Sequence, residues 1–346
     1  MPLPSAVLLI FALLVLPAIP AYAQPPVHLP TDPSVVHGTA TVDTVGNHMT
    51  VTNSPNAILD WQDFSIGAGH EVHFQQLNAA SQVLNRVTGN DPSQILGSLS
   101  SNGGVWLINP HGVLFGQNAR IDVAGLVTSA LDISNIDFLA GKYNFLRGGG
   151  SPGQVTNQGE IKTTFGGRVW LIGEQVRNEG LIQTPGGNIV LAAGKSLELI
   201  DSGAPNVIVR VTAPDNEVAN LGSLVAASGG NIDVYGSIVN QQGIVRADSV
   251  GTDAAGRIVF TASQALNLKE SSVTSAQGGT IQMTAGMATY LAGMVDVSQQ
   301  QGAAGRIQLL TGQMQGTVGG SLRADGMQGG SISIEGRDTV TFSSLL

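Results

Sequence analysis

Cysteine is absent from the 346 residues, charged residues make up only 11% of them, and aromatic residues only 5%. Without cysteine, no disulfide bond can hold the fold together. The formal net charge is −9, so no basic stripe is available to bind phosphates, and nucleic acid is not an expected partner. No run after residue 23 approaches the ~18 apolar residues that a membrane-spanning helix needs.

The first 23 residues predict a secretory signal peptide. An apolar run from Ala6 to Ile19 is followed by Ala21 and Ala23, which stand before Gln24 in the small-x-small pattern of a cleavage site. Residues 1–5 lack the Lys or Arg that usually precedes such a run, so an uncleaved membrane anchor is the alternative. We expect cleavage before Gln24 and export of the chain.

What the chain has in abundance is glycine, with 46 residues, and much of it recurs at a fixed spacing. Gly159, Gly180, Gly222 and Gly243 each follow an asparagine closely and precede an aliphatic residue. They are separated by one, two and one intervals of about 21 residues, a period typical of solenoid repeats. The copies therefore fit a regular grid, on which one less recognisable copy would lie between Gly180 and Gly222.

A second repeated element is a pair of small residues followed by a short strand-forming run. Its small pairs are 166–167, 186–187, 229–230, 255–256, 278–279, 304–305 and 329–330. Strands introduced by such turns, at this short period, indicate a β-solenoid, because propeller blades need about 40 residues or more. The predicted fold is all-β, a right-handed single-stranded parallel β-helix. Counted from Asn102 onward, it would have roughly 11 turns and a length on the order of 50 Å.

Both ends of such a rod expose strand edges, which natural solenoids cover. Residues 39–42, 49–52 and 71–74 are predicted to be short strands outside the repeat that cap the N-terminal end. Residues 331–335 and 340–342 predict one more turn at the other end.

The most distinctive blocks lie between residues 61 and 141. They are WQDFSIG at 61–67, LNRVTGNDPSQILG at 84–97, VWLINPHGVLFG at 105–116, LVTSALDI at 126–133 and DFLAG at 137–141. In this order they resemble the haemagglutination-activity, filamentous haemagglutinin-type secretion domain of two-partner secretion exoproteins. The resemblance extends from about residue 27 to residue 194.

The resemblance implies export to the periplasm, capture by a dedicated TpsB-type outer-membrane β-barrel transporter, and folding at the cell surface. It also implies that the family's Asn-Pro-Asn-Gly secretion motif corresponds to Asn109, Pro110, His111 and Gly112. His111 departs from the motif, but His and Asn both tolerate left-handed backbone geometry, so we expect it to keep the turn. From the residues alone, the segment is a turn between two strands. A second family motif, Asn-Pro-Asn-Leu, is not apparent in the sequence.

A β-helix can also carry a polysaccharide lyase or hydrolase groove, which needs clustered acids beside a basic residue. The candidates are Asp201, Asp233, Asp248 and Asp253 with Arg210, Arg246 or Arg257. Their spacings do not follow the repeat, so we expect solvated turn residues and no catalytic site.

No cofactor or metal is expected either. His70 and His73 would lie on opposite faces of a strand, which prevents both from binding one ion. Glycines 148–150 lack the Lys-Ser or Lys-Thr of a phosphate-binding loop and predict a flexible connection.

These observations predict a signal peptide at 1–23, a secretion domain at 24–200 that includes the cap and the first turns, and a β-helical shaft at 201–346, either capped or cut short. The expected function is that of a secreted or surface adhesin or haemagglutinin-like exoprotein, without enzymatic activity. Its expected partners are the transporter and host or bacterial surface glycans or proteins. A carbohydrate-active β-helix enzyme is the alternative.

Overall fold

The predicted all-β solenoid is confirmed by a computed structural model, which describes residues 28–148, 153–201, 207–211, 216–249, 255–316 and 320–342. The chain winds through about ten turns, and strands of successive turns pair in parallel to form three walls. The predicted signal peptide, with Ala21 and Ala23, and the predicted first residue after cleavage, Gln24, lie outside the described residues. Within the described part, no helix has both the length and the apolarity to cross a membrane.

The first wall is built from strands that open each turn. Its members are β3 (His48–Asn53), β5 (Glu71–Gln75), the start of β8 (Ser98–Ile108), the start of β10 (Arg120–Ser129), β14 (Glu160–Thr163), β17 (Leu181–Gln183), β22 (Ser223–Val225), β24 (Ile244–Arg246), β26 (Val273–Ser275), β28 (Met294–Asp296) and β31 (Ser321–Arg323).

The second wall carries the strands that follow the small-residue pairs. It consists of β4 (Ala57–Trp61), β6 (Gln82–Val87), the ends of β8 and β10, β15 (Arg168–Gly173), β18 (Asn188–Ala193) and the starts of β23 (Asn231–Gln241), β25 (Arg257–Leu268), β27 (Thr280–Leu291), β30 (Arg306–Gly316) and β33 (Ser331–Phe342).

The third wall closes each turn. It contains β7 (Ser93–Ile95), β9 (Val113–Phe115), β13 (Gln154–Asn157), β16 (Gln175–Asn178), β21 (Glu217–Asn220) and the ends of β23, β25, β27, β30 and β33. Alternate side chains of all three walls point inward, and the inward valines, isoleucines and leucines form one core along the axis. The prediction that residues 331–342 form a further turn is confirmed.

The repeated glycines stand where successive turns come closest at a corner. A Cβ atom on Gly180 would lie 2.1 Å from the carbonyl oxygen of Gly159, and one on Gly222 would lie 2.1 Å from that of Gly180. No side chain fits at such a distance. The repeat therefore records a backbone contact that recurs once per turn.

The asparagines of the same repeat form a ladder of buried amides beside these glycines. Asn157 Nδ2 donates to Asn178 Oδ1 at 2.8 Å, and Asn178 Nδ2 donates to Asn220 Oδ1 at 2.8 Å. Asn220 Nδ2 in turn donates to Gln241 Oε1 at 2.7 Å. Each amide thus forms a hydrogen bond with a buried neighbour. A buried amide without such a partner would lower the stability of the fold.

The double interval between Gly180 and Gly222 does not contain another turn, so the regular grid predicted from the sequence was wrong there. β17 pairs directly with β22, and the intervening chain includes β19 (Ser196–Asp201) and β20 (Val207–Val211), which leave the solenoid. An earlier excursion contains β11 (Asp132–Ile133), the helix α1 (Asn135–Leu139) and β12 (Tyr143–Leu146).

The two excursions join in one four-stranded antiparallel sheet that covers part of the second wall. Trp106 and Trp170 point outward from that wall and are buried beneath it. Phe145 of β12 stacks on Trp106, with ring centroids 6.1 Å apart, and Phe138 of α1 meets Trp106 edge-on at 5.3 Å. This second apolar core lies outside the solenoid.

The N-terminal cap is smaller than predicted. β1 (Ser34–His37) and β2 (Ala40–Val45) pair antiparallel with β4 and β3, as capping strands should. Residues 49–52 and 71–74, however, belong to β3 and β5 and are parallel members of the first wall. The solenoid therefore begins at His48, well before Asn102. A small separate pair, β29 (Gln299–Ala303) and β32 (Gly326–Gln328), lies at a late corner.

We expect Gly180→Ala to lower the free energy of unfolding by about 1–3 kcal/mol, because the added methyl group would collide with the Gly159 carbonyl. Urea unfolding of the purified chain measures the effect. Gly329→Ala is the matched control, since a Cβ there meets nothing within 4 Å. Equal stability of the two variants would contradict the close packing of the glycine corners.

Candidate functional site

The segment from Asn109 to Gly112 forms a tight turn between β8 and β9. The backbone N–H of Gly112 donates to the carbonyl oxygen of Asn109 at 2.9 Å, and the N–H of His111 donates to Asn109 Oδ1 at 2.9 Å. Asparagine first, proline second and glycine fourth is the residue order that a type I turn favours. The turn inferred from the sequence is therefore present.

The explanation given for His111 was wrong. Among the described residues, His111 is not one of the non-glycine residues with positive φ, whereas Gly112 has a φ of 109°. The left-handed geometry of the turn is thus provided by Gly112. At the third position of a type I turn many residues are allowed, so histidine replaces asparagine without backbone strain.

The side chain of Asn109 joins this turn to the preceding one. It is fully buried, and its Nδ2 donates to the carbonyl oxygen of Asp91 and to Ser93 Oγ, both at 3.0 Å. Its Oδ1 accepts the His111 N–H, so the amide uses both ends. Removal of this amide would take a partner from the buried Ser93 hydroxyl and break the part-buried bonds to Asp91 and His111.

Gly112 is packed between the turns on either side of it. Its carbonyl oxygen accepts the N–H of Ser93 at 3.0 Å, and a Cβ on Gly112 would lie 2.8 Å from the carbonyl oxygen of Gln154 in the next turn. Pro110 and His111, by contrast, are half-buried at the surface of the corner.

The other distinctive blocks supply the interior of the first turns. Trp61 Nε1 donates to Asn85 Oδ1 at 3.0 Å, and Asn85 Nδ2 donates to the carbonyl oxygen of Trp106 at 3.2 Å. Trp61 and Phe64 meet edge-on at 5.3 Å. Three separate blocks of the sequence are therefore in mutual contact across three turns.

Arg86 connects these turns to the first excursion, a role that the sequence did not reveal. Its Nε donates to Asp132 Oδ1 at 3.1 Å, its Nη1 to Asn135 Oδ1 at 2.8 Å and its Nη2 to the carbonyl oxygen of Ile133 at 2.6 Å. These partners lie far along the chain from Arg86, so no local pattern could have identified them.

The acidic and basic candidates for an enzyme do not converge, with one exception. Asp233 lies in β23 and is fully buried, so the expectation of a solvated turn residue was wrong for it. Arg257 Nη2 donates to both of its carboxylate oxygens, at 2.8 and 3.0 Å. Burial raises the pKa of Asp233 to about 6, although the Arg257 guanidinium opposes that rise.

The remaining candidates are scattered or lie outside the described part. Asp248 is in a turn, where its carboxylate accepts from Ser275 Oγ at 2.9 Å, and Arg246 is exposed in β24. Asp253 and the side chains of Asp201 and Arg210 lie outside the described residues.

The two histidines and the glycine-rich segment also form no site in the described part of the chain. His73 contacts Ser100 Oγ at 2.9 Å and His70 contacts the carbonyl oxygen of Ala68 at 3.3 Å, so their rings have different partners. No group of three or more His, Asp or Glu residues within the described ranges is arranged to hold a metal ion. Residues 149–152 of the glycine-rich segment lie outside those ranges.

Comparisons with known proteins agree with this architecture. The sequence model described as the TPS secretion domain matches residues 27–222, more than half of the chain. The chain is 32% identical to the HMW1 secretion domain of Haemophilus influenzae, whose crystal structure superimposes with a TM-score of 0.80. That match covers 92% of this chain and 97% of the other.

Two curated relatives are heme/hemopexin-binding proteins of Haemophilus influenzae. One, from strain Rd, is 36% identical over 236 residues, which are 66% of this chain and 24% of that protein. The other is 41% identical over 129 residues, which are 37% of this chain and 14% of that protein. The matches thus span about a quarter or less of the length of these relatives.

The buried Asp233 carboxylate predicts a specific pH dependence of stability. Its pKa is higher in the folded chain than the ordinary 3.8, so the folded state holds this proton to higher pH and stability falls as the pH rises from about 4 to about 6. Asp233→Asn removes this contribution. We expect the unfolding free energy of the wild type, minus that of the variant, to fall by up to about 3 kcal/mol over this window.

Urea unfolding at about pH 4 and about pH 7 measures this difference. Hydrogen bonds from Lys162 and Arg177 lower the pKa values of Glu160 and Glu179. These two carboxylates therefore raise stability as the pH rises, in the wild type and in the variant alike. The difference between wild type and variant cancels the contributions of these two carboxylates. A difference that stays constant with pH would refute the raised pKa.

Proposed function

The chain belongs to the TPS secretion domain family, whose members direct exoproteins across the outer membrane to the medium or the cell surface, and we propose that it does so through its own TpsB-type transporter. The observation that carries the proposal is the match to the HMW1 secretion domain, which covers 97% of that domain at a TM-score of 0.80. The likeness thus extends over 92% of this chain and is not limited to the distinctive blocks.

The proposal assigns residues 1–23 to a signal peptide, 24–200 to the secretion domain and 201–346 to a shaft. The second wall continues across residue 200, because β18 pairs with β23. The proposed boundary therefore separates two functions and does not separate two folding units. The much longer relatives are named for heme or hemopexin binding, and that binding is not part of the proposal.

Within the secretion domain, the turn from Asn109 to Gly112 serves export by closing the corner between early turns. The support is physical: one buried amide, Asn109, bonds to Asp91 and Ser93 of the preceding turn. In a solenoid each turn contacts only its neighbours, and folding spreads from turn to turn, so these contacts would help the early turns to stack as the chain emerges unfolded. A defect in this corner would therefore delay folding outside the cell.

The folded rod has a binding role in the proposal, that of an adhesin for surface glycans or proteins, and no catalytic one. The family comprises secretion domains of exoproteins and not enzymes. The acid–arginine pair of Asp233 and Arg257 supports the same view, because the carboxylate is fully buried and its partner already occupies both of its oxygens.

Co-expression with the barrel transporter encoded beside it tests the export route. We expect the wild-type chain in the medium, beginning at Gln24, and only when the transporter is present. Asn109→Ala should remain largely cell-associated. Immunoblots of medium and cell fractions, with N-terminal sequencing of the released chain, give the result.

A matched variant separates a special role of the corner from a general loss of stability. Asn178→Ala also removes a buried amide that bonds to two neighbours, and each substitution should cost about 1–3 kcal/mol. We expect Asn178→Ala to be released and Asn109→Ala not. Equal release of the two variants would refute the role of the Asn109 turn, and release without the transporter would refute the route.

The absence of lyase activity has its own test. Purified chain incubated with a panel of acidic polysaccharides should produce no absorbance from new carbon–carbon double bonds, because the Asp233 carboxylate is inaccessible to a substrate. Absorbance that appears with the wild type and disappears in Asp233→Asn would overturn this part of the proposal.

A further inference from the structure

The outer face of the third wall has a depression over the late turns of the solenoid. One cavity of about 330 Å³ is lined by Asn267, Ala288, Tyr290, Gln313 and residues of β33. A second, of about 640 Å³, shares Asn267 and Tyr290 with it. We call the combined depression the Tyr290 groove.

The groove includes a point on the outer face where a small residue, Ala288, precedes the larger Gln313. Along the outer face, Ile238, Ala265, Ala288 and Gln313 occupy equivalent positions in successive turns. The short side chain of Ala288 leaves space in the groove. Tyr290 stands in the neighbouring row, so its half-buried ring forms one side of that space.

The row that contains Tyr290 carries oriented polar groups in the turns before it. Asn267 Nδ2 donates to Asn240 Oδ1 at 2.8 Å, and Asn240 Nδ2 donates to Glu217 Oε1 at 2.6 Å. Each amide therefore donates to the turn before it, which holds the side chains in one direction. Like the buried ladder, this outer row repeats once per turn, at a spacing of about 4.8 Å.

The charges at the groove balance. Lys269 Nζ lies 5.9 Å from the centroid of the Tyr290 ring, within the range of a cation–π contact, and the neighbouring Glu270 carries the opposite charge. The other groups that line the groove are amides, hydroxyls and methyl groups. The formal charges of the lining residues therefore cancel.

An aromatic ring beside amides and hydroxyls fits a ligand that offers C–H groups on one face and many hydroxyls at its edge. A pyranose ring has this form, and the turn spacing is close to the length of one such ring. We propose that the Tyr290 groove binds a neutral oligosaccharide chain laid along the solenoid axis. This inference names the ligand for the binding role proposed above and rests on it, but it does not depend on the export route.

The test uses the purified full chain and neutral hexasaccharides of glucose, N-acetylglucosamine, galactose and mannose, measured by calorimetry and by saturation-transfer NMR. We expect saturable binding of at least one of them. Tyr290→Ala should weaken it about tenfold or more, as truncation of an aromatic anchor does. Ala288→Leu should weaken it to a similar degree by filling the space, and because Ala288 is exposed this change leaves the core intact.

Phe165→Ala is the control, because Phe165 is an aromatic side chain with 77% exposure that takes no part in the groove. Unchanged affinity in this variant, with loss in the other two, would establish the site. The proposal is overturned if none of the hexasaccharides binds at millimolar concentration, if Tyr290→Ala binds as well as the wild type, or if only an anionic polysaccharide such as heparin binds. Each of these results leaves the export proposal standing, because no transporter takes part in the experiment.

Discussion

The rest of the structure depends on one constraint, the stacking of each turn directly on the previous one. Backbone hydrogen bonds between parallel strands hold the turns about 4.8 Å apart. At the corners this stacking brings backbones so close that only glycine fits, as Gly180 against Gly159 demonstrates. It also places equivalent side chains one above the other. Buried amides such as Asn178 can therefore satisfy each other from turn to turn, and the core needs neither disulfides nor large aromatic side chains along most of its length.

The same constraint explains the contacts of the Asn109 turn. A corner in this fold touches the corners of both neighbouring turns, so Asn109 reaches Ser93 in the preceding turn and Gly112 meets Gln154 in the next. A short segment with such contacts is sensitive to substitution for structural reasons alone. On the proposed export route, in which the chain folds after passage through the transporter, a structural requirement of the first turns would become a requirement for secretion.

The repeat sufficed to predict the solenoid because a contact made once per turn leaves one glycine per turn in the sequence. It did not suffice to count the turns. The separation between Gly180 and Gly222 equals two periods, yet β17 pairs directly with β22 and the rest of the chain joins a separate sheet. An excursion leaves no periodic signal. Conversely, the earliest turns lack the glycine element, so the repeat alone predicts β3 and β5 to be caps.

The sequence by itself determined the fold class, the corner glycines, the turn at Asn109 and the family, because each depends on residues that are close in the chain or repeat at a fixed interval. Only the tertiary structure decided that Arg86 holds the first excursion, that Asp233 is buried against Arg257, and that Tyr290 borders a groove. These contacts join residues from different turns or from an excursion. The stacking of turns in space determines which residues become partners. No spacing along the chain indicates these pairs.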